Sequence, residues 1–203
     1  MEIQTLYKRG TGGHLTQLML SDGSSFFISS RFVEELGIQE GDAVSDDLYQ
    51  TLQYRAELEE ACRKGMDLLS RAEQSEGMMR RKLLKRNFRP EVVAEAVVWL
   101  TEQRYLENRR YAEQWVTVRL RRNPEGRPAL LAGLLRRGVD RRTAEDTVAR
   151  LVTAETEAAA LERAIAKLKR RHKDNREKIY SSLVRKGFSH SEISTQLERF
   201  SQK

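Results

Sequence analysis

Chemistry that depends on sulfur, imidazole or long apolar runs has little to work with in this chain. Cys62 is the single cysteine, so no disulfide can form within the chain, which fits a reducing compartment. It has no triad-like context, and a small buried side chain is its expected role. The three histidines, His14, His172 and His190, lack a cysteine or carboxylate partner at metal-ligand spacing. Acidic pairs such as Glu34-Glu35, Asp46-Asp47 and Glu59-Glu60 are scattered over amphipathic surfaces. Catalysis needs titratable groups that converge in a pocket. We therefore expect a non-enzyme, with no metal and no cofactor. A cryptic nuclease would need a carboxylate cluster that the sequence does not offer. Gly10–Gly13 is glycine-rich but lacks the Gly-Lys-Ser/Thr ending of a phosphate-binding loop. No run reaches the length of a transmembrane helix, and the N-terminus lacks a signal-peptide core. The expectation is a cytoplasmic protein with no membrane partner.

What the chain has is charge. Charged residues make up 33% of it and the net charge is +7. The charge is unevenly placed. Residues 1–50 hold 3 basic and 8 acidic residues, whereas residues 51–203 hold 34 basic and 22 acidic. The apolar residues of the basic part are periodic, so it folds as helices and is not disordered. A basic helical body points to a polyanion partner, most often nucleic acid.

One pattern returns three times. Its first copy reads Met79, Leu83, Leu84, Lys85, Arg86, Asn87, Phe88, Val93, Val97. The second reads Leu130, Leu134, Leu135, Arg136, Arg137, Gly138, Val139, Ala144, Val148, and the third Ile179, Leu183, Val184, Arg185, Lys186, Gly187, Phe188, Ile193, Leu197. Each is a helix, a tight turn and a second helix. Asn87, Gly138 and Gly187 stand where a helix ends in a left-handed residue, which favours glycine and next asparagine. Pro90 is allowed at the first position of its helix. Asp140 and Ser189 are expected N-caps, and Ser189 with Glu192 forms a capping-box pattern.

A leading helix precedes each pair. Asp46–Arg71 reads as one long helix, or two with a break near Gly65. Arg109–Arg122 follows Asn108, an expected N-cap, and places Tyr111, Trp115 and Val118 on one side. A third leading helix spans about Glu155–Arg171. The expected fold is mainly α: tandem three-helix repeats forming an elongated, curved solenoid, with a small β-rich N-terminal extension. The expected divisions are 1–45 for the extension, then 46–104, 105–152 and 153–203 for the repeats. Within the extension, Leu15–Leu20 and Ser25–Ser29 read as strand, turn, strand, and Ile3–Lys8 alternates loosely. Arg9–Gly13 reads as a flexible turn, Arg31–Leu36 as a short helix ending at Gly37, and Ile38–Val44 as another extended segment. The tail 201–203 should fray.

Basic residues gather on the repeats. Arg80, Arg81, Lys82, Lys85 and Arg86 crowd one helix. Arg119, Arg121, Arg122 and Arg127 crowd the joint before the second copy, which adds Arg136, Arg137, Arg141 and Arg142. Lys169, Arg170 and Arg171, with Lys167 and Lys173, precede the third copy, which adds Arg185 and Lys186. Arginine suits bidentate contact with phosphate or carboxylate. Such contacts give affinity but little sequence specificity. The basic pair before each turn also lies where a helix dipole favours positive charge, which accounts for it without any partner. Trp99, Trp115 and Tyr111 fall in apolar stripes and are expected to pack between helices. Helix–turn–helix pairs can read DNA grooves, but the second helices start with Pro90-Glu91-Val92, Arg141-Arg142-Thr143 and His190-Ser191-Glu192. Copies one and three are poorly equipped for base reading.

In family order and spacing, several motifs resemble the RecX family of recombination regulators. They are Leu68-Leu69-Ser70-Arg71, Met79-Arg80-Arg81-Lys82-Leu83 through Asn87-Phe88, and Tyr105-Leu106-Glu107-Asn108-Arg109-Arg110-Tyr111-Ala112-Glu113. Gly126-Arg127-Pro128, Leu134 through Val139 and Leu183 through Phe188 follow. The match covers about residues 55–200. Departures are Asn87, where the family usually has glycine, Asn108 in place of the second acid of a pair, and Gly133 where it often has glutamate. The resemblance implies a non-enzymatic modulator, usually an inhibitor, of the RecA recombinase. Its implied partners are the RecA filament, single-stranded DNA and duplex DNA, and a monomer is expected. Under that reading, charge reversal at Arg136 and Arg137 should weaken filament binding without unfolding the protein. The rival is a direct, non-sequence-specific DNA-binding helical protein.

Overall fold

The structure, a computed structural model, describes residues 1–10, 12–173 and 175–201, with side chains through 199. Thr11 of the expected flexible turn, and residues 202 and 203 of the expected frayed tail, lie outside these. Packing divides the chain into two compact units, residues 1–72 with 79–105, and residues 73–78 with 106–203.

In the first unit, strands β1 (Ile3–Arg9), β2 (Leu15–Leu20) and β3 (Ser25–Ser29) form an antiparallel sheet in the order β1-β2-β3. Alternation sends Leu18, Leu20, Phe26 and Ile28 to one face, where they are buried with Ile3, Val33, Val44 and Leu52. Helix α1 (Ser30–Leu36) follows and ends at Gly37, which has φ 63°. The expected extended segment 38–44 is reduced to one bridge, Glu2 to Ala43, with Ile3 and Val44 tied to it by backbone hydrogen bonds.

Helix α2 (Asp46–Arg71) is unbroken across its 26 residues. The Ser45 hydroxyl caps it by accepting from the Leu48 amide, and Asp46 and Asp47 complement its dipole. Gly65 does not break it. It is buried, and a β-carbon there would lie 2.5 Å from Leu100 Cδ1. Glycine lets this helix approach α4 (Pro90–Glu102), while α3 (Glu76–Leu84) comes between them in sequence. The boundary between the two units falls within α3.

The second unit runs α5 (Asn108–Arg122), α6 (Arg127–Arg136), α7 (Arg141–Leu151), α8 (Ala154–His172), α9 (Arg176–Arg185) and α10 (His190–Ser201). One apolar cluster spans it from Tyr111 to Leu197. The chain is thus mainly helical, in three-helix repeats with a small N-terminal sheet. The recurring apolar positions are buried in all three copies, except the second of each apolar pair and Phe88, which is half-buried where Val139 and Phe188 are buried. Leu84 is 44% exposed, and Leu135 and Val184 are half-buried. The face of α5 also differs from expectation. Tyr111, Ala112, Val116 and Leu120 are buried, and Val118 is exposed. The buried stripe is centred near Ala112 and Val116; Tyr111 stands at its edge, and Val118, about 20° further round, falls outside it.

Caps follow the expected chemistry with one correction. Asp140 accepts from the Thr143 amide at 2.8 Å, and Ser189 and Glu192 exchange the two bonds of a capping box. Asn108 does not cap its own helix, whose N-cap is Glu107. Its side-chain oxygen instead accepts from the Glu76 amide at 3.0 Å, satisfying the start of α3. Burial raises the pKa of Asp140, but hydrogen bonds from Thr143 and Asn108 outweigh it and hold the carboxyl below its ordinary value. Asp140→Ala should therefore cost about 1 kcal/mol at neutral pH. Because the folded pKa is the lower one, this contribution is present above the unfolded pKa and is lost as pH falls through the folded value. The gap between parent and variant urea midpoints should shrink below about pH 4.

Candidate interaction surface

The three turns share one backbone geometry. Asn87, Gly138 and Gly187 have φ of 63°, 76° and 81°. In copies two and three the following residue bonds back across the turn, Val139 to the Leu134 carbonyl and Phe188 to the Leu183 carbonyl. The surroundings of the turns differ. The start of α3 docks on the second turn: Ser75 Oγ donates to the Arg137 carbonyl, and Gly77 faces Gly138 so closely that a β-carbon on either would lie 2.6 Å from the other's Cα. The start of α6 docks on the third turn in the same way. Gly126 donates its amide to the Lys186 carbonyl at 2.9 Å, and a β-carbon on Gly187 would lie 2.8 Å from Ala129 Cβ. Asn87 belongs to the exposed stretch Leu84–Asn87 and needs only the left-handed backbone.

This changes the meaning of the basic pairs. Lys186 is half-buried, and its head group faces inward. Its ammonium donates to Asn123 Oδ1 at 2.8 Å and to the Pro124 carbonyl at 3.2 Å, inside the joint. Burial, and then the charges of Arg119 and Lys167, lower its pKa against the opposing pull of Glu125. Arg137 lies with its guanidinium carbon 4.6 Å from the Trp115 ring centroid and donates to the Gly133 carbonyl at 2.9 Å. Gly133 itself faces Trp115, whose ring occupies the space of a side chain there. Charge reversal at Arg137 would break this packing, so only Arg136 of that pair can test binding. Among the three pairs, Lys85 and Arg86 are both exposed, although Arg86 also donates to the Lys82 carbonyl at 2.7 Å.

Other candidates are also committed within the fold. Arg119 binds Glu125 through two nitrogens, at 3.2 and 2.7 Å, and stacks near Trp115. Arg127 pairs with Glu157 at 2.9 Å, and Arg141 with Glu145 at 3.0 Å. Arg185 donates to Ser182 Oγ at 3.3 Å. Arg80 and Lys82 are half-buried, and Arg81, Arg136 and Lys169 each interact with a neighbour in the chain. Arg121, Arg122, Arg142, Arg170 and Arg171 are exposed and, among the described residues, lack a carboxylate partner. Four of these five lie at two helix ends that the fold brings together. Lys167 Nζ reaches the Arg122 carbonyl at 3.3 Å, so the C-terminal turns of α5 and α8 adjoin. Arg170 and Arg171, three and four residues after Lys167, share its helix face. The result is a basic cluster of Arg121, Arg122, Lys167, Arg170 and Arg171, with Lys186 behind it.

The residues that sequence spacing missed are Arg55 and Arg89, in a cleft of about 530 Å³ on the first unit. Arg55 lies over the Phe32 ring at 4.8 Å and pairs with Glu59, while Arg89 lies over Tyr54 at 5.3 Å and pairs with Glu57. The Tyr54 hydroxyl donates to Glu95 at 2.6 Å, which pushes its pKa up to about 12. Arg55 and Glu59 are an i to i+4 pair on α2, but the Phe32 ring under Arg55 and both partners of Arg89 stand on other elements, so no local motif announces the cleft. The two arginines here are each paired with a glutamate of α2. Burial likewise pushes the Cys62 thiol up to about 11, away from nucleophilic use. Among the described residues no group of three His, Cys, Asp or Glu could hold a metal ion, and no helix is long and apolar enough to cross a membrane.

Comparison with known proteins matches this architecture. Residues 61–100 match the family description "RecX, first three-helix domain" and residues 108–148 match "RecX, second three-helix domain". The chain is 32% identical over 131 residues to regulatory protein RecX of Treponema pallidum, covering 64% of this chain and 80% of that one. The chain belongs to the RecX family. Regulatory protein RecX of Bacillus velezensis is 24% identical over 187 residues, covering 90% of this chain and 71% of that one. A crystal structure of regulatory protein RecX superposes with a TM-score of 0.76 at 18% identity, covering 95% of this chain and 97% of that chain. RecX from Lactobacillus salivarius gives 0.62 at 21% identity, covering 72% and 98%. These relatives carry the name of regulators and not of enzymes.

The asymmetry between turns gives a test within the RecX fold. Gly138→Ala and Gly187→Ala should each cost on the order of 2 kcal/mol or more, from backbone strain plus overpacking. Asn87→Gly should change stability by less than about 1 kcal/mol. Urea midpoints of the three variants measure the difference.

Proposed function

We propose that this chain is a regulator, acting as an inhibitor, of RecA. It binds the RecA–single-stranded-DNA filament and lowers its ATPase and strand-exchange activity in recombination, DNA repair and the SOS response. It acts in the cytoplasm, as a monomer, by binding and not by catalysis. The segments 1–45, 46–104, 105–152 and 153–203 serve as its structural divisions. The observation that carries the reading is the basic cluster at the ends of α5 and α8, on a RecX-family fold. Five exposed cations on two adjoining helix ends suit the phosphates of a filament's DNA or acidic groups of its subunits.

Direct, non-sequence-specific DNA binding is the second reading, and the same cluster favours it. Groove reading by the helix–turn–helix pairs has less support. Arg141 is tied to Glu145, and the His190 ring shares a 2.6 Å hydrogen bond with Tyr180. Pro90 and Glu91 open α4 with no base-reading donor.

The readings separate in one set of assays. Sub-stoichiometric protein should depress RecA's DNA-dependent ATPase and strand exchange. Replacing Arg121, Arg122, Arg170 and Arg171 by glutamine should abolish the effect while lowering stability, read from the urea midpoint, by no more than about 2 kcal/mol, since each loses only its share of helix-end electrostatics. Tight duplex binding with no effect on RecA at any salt concentration would sink the filament reading in favour of direct DNA binding.

A further inference from the structure

The outer face of the N-terminal sheet takes no part in the core or in the basic cluster. Strand register places Tyr7, Gln17 and Phe27 in one row across β1, β2 and β3. Met19 stands in the row on one side and Arg9 in the row on the other. The rings are displayed: Tyr7 is 63% exposed and Phe27 48%. A hydrogen-bond chain braces the row. Arg9 donates to Gln17 Oε1 through Nε at 3.3 Å and Nη2 at 3.0 Å, and Gln17 donates to Ser25 Oγ at 3.3 Å. The Arg9 guanidinium carbon lies 5.0 Å from the Tyr7 ring centroid.

Charge is sorted across this small domain. Residues 1–45 hold 3 basic and 6 acidic residues, yet none of the acids occupies a strand position on the outer face. Asp22 is in the β2–β3 turn, bonded to Ser24; Glu34 and Glu35 pair with Lys8 and Arg31. The one carboxylate that reaches this face, Glu59 of α2, lies at its edge, where it accepts from the Ser29 amide and hydroxyl and pairs with Arg55. The row between the edges carries two rings and no carboxylate, with an arginine beside it. That combination fits a ligand with flat π-surfaces and negative charge, which is a polynucleotide. The strand spacing selects its form. Tyr7 and Phe27 stand two strands apart, about 10 Å, too far for neighbouring bases of a duplex at about 3.4 Å rise. A protein partner with a continuous apolar surface would meet Gln17 between the rings. We propose that this face binds single-stranded nucleic acid, with bases stacked on Tyr7 and Phe27 and Arg9 against the backbone phosphates.

The proposal does not rest on the RecA reading, and its test contains no RecA. Full-length protein is titrated against a fluorescently labelled 15-residue oligothymidine, with anisotropy read at several salt concentrations. Tyr7→Ala and Phe27→Ala should each weaken binding about 5- to 100-fold, with the salt slope unchanged, because stacking releases no counterions. Tyr7→Phe keeps the ring and should bind like the parent. Arg9→Ala should lower the slope by about one contact. Tyr7→Trp enlarges the ring and should tighten binding, which keeps the idea testable if an alanine variant folds poorly. Parent-like affinity in the doubly substituted Tyr7→Ala, Phe27→Ala protein, with unchanged circular dichroism, would overturn the proposal. So would equal losses in Tyr7→Phe and Tyr7→Ala, since the hydroxyl and not the ring would then be responsible.

Discussion

Direct backbone contact at two left-handed turns is the constraint on which the second unit depends. At Gly77–Gly138 and at Gly126–Gly187, the start of one helix pair sits on the turn of the next with no side chain between them. Glycine has two uses at Gly138 and Gly187: it permits positive φ, and it removes the atom that would hold the segments apart. The polar bonds Ser75 to Arg137 and Gly126 to Lys186 then satisfy carbonyls that a helix end leaves open. Once these contacts are made, the positions of Trp115, Arg137 and Lys186 follow. Each fills space or satisfies a polar group beside a joint.

That order of causes explains why composition overstates the exposed charge. Twenty basic residues gather on the repeats in sequence, and the repeat itself uses many of them. Lys186 holds a loop, Arg137 covers a tryptophan, Arg119 and Arg127 anchor buried or half-buried glutamates. A basic pair before a turn is thus a device with two fates. Where another segment docks, one member is absorbed; at Lys85-Arg86 both remain at the surface. The cations left over concentrate where two leading helices end. There the helix dipoles already favour positive charge, so clustering them costs less than it would elsewhere.

The repeat was legible because its apolar spacing, its turn residues and most caps are local signals. Met79, Leu134 and Ile193 are buried where the pattern puts them, and Asp140 and Ser189 cap as expected. What local reading could not supply is any choice made by a distant partner. Asn108 looks like a cap for α5, but Glu76, 32 residues away, takes its side chain. Arg55 and Arg89 looked ordinary because the rings they cover are separated from them in sequence. Gly133 looked like a weak point in a helix, and it is the floor on which Trp115 rests. The outer face of the sheet escaped notice for another reason: alternation marks the buried face, and the exposed residues that remain look unremarkable until register aligns them.

Asn87 has a consequence for assembly. A stack built by docking helix starts onto turns is open-ended in principle, and one copy's spare end could accept another copy without limit. Asparagine keeps the left-handed backbone at the first turn but restores a β-carbon. At the other two turns that atom would collide with the docking segment. A backbone segment therefore cannot approach the first turn as Gly77 approaches Gly138, and any contact made there has to go through the Asn87 side chain.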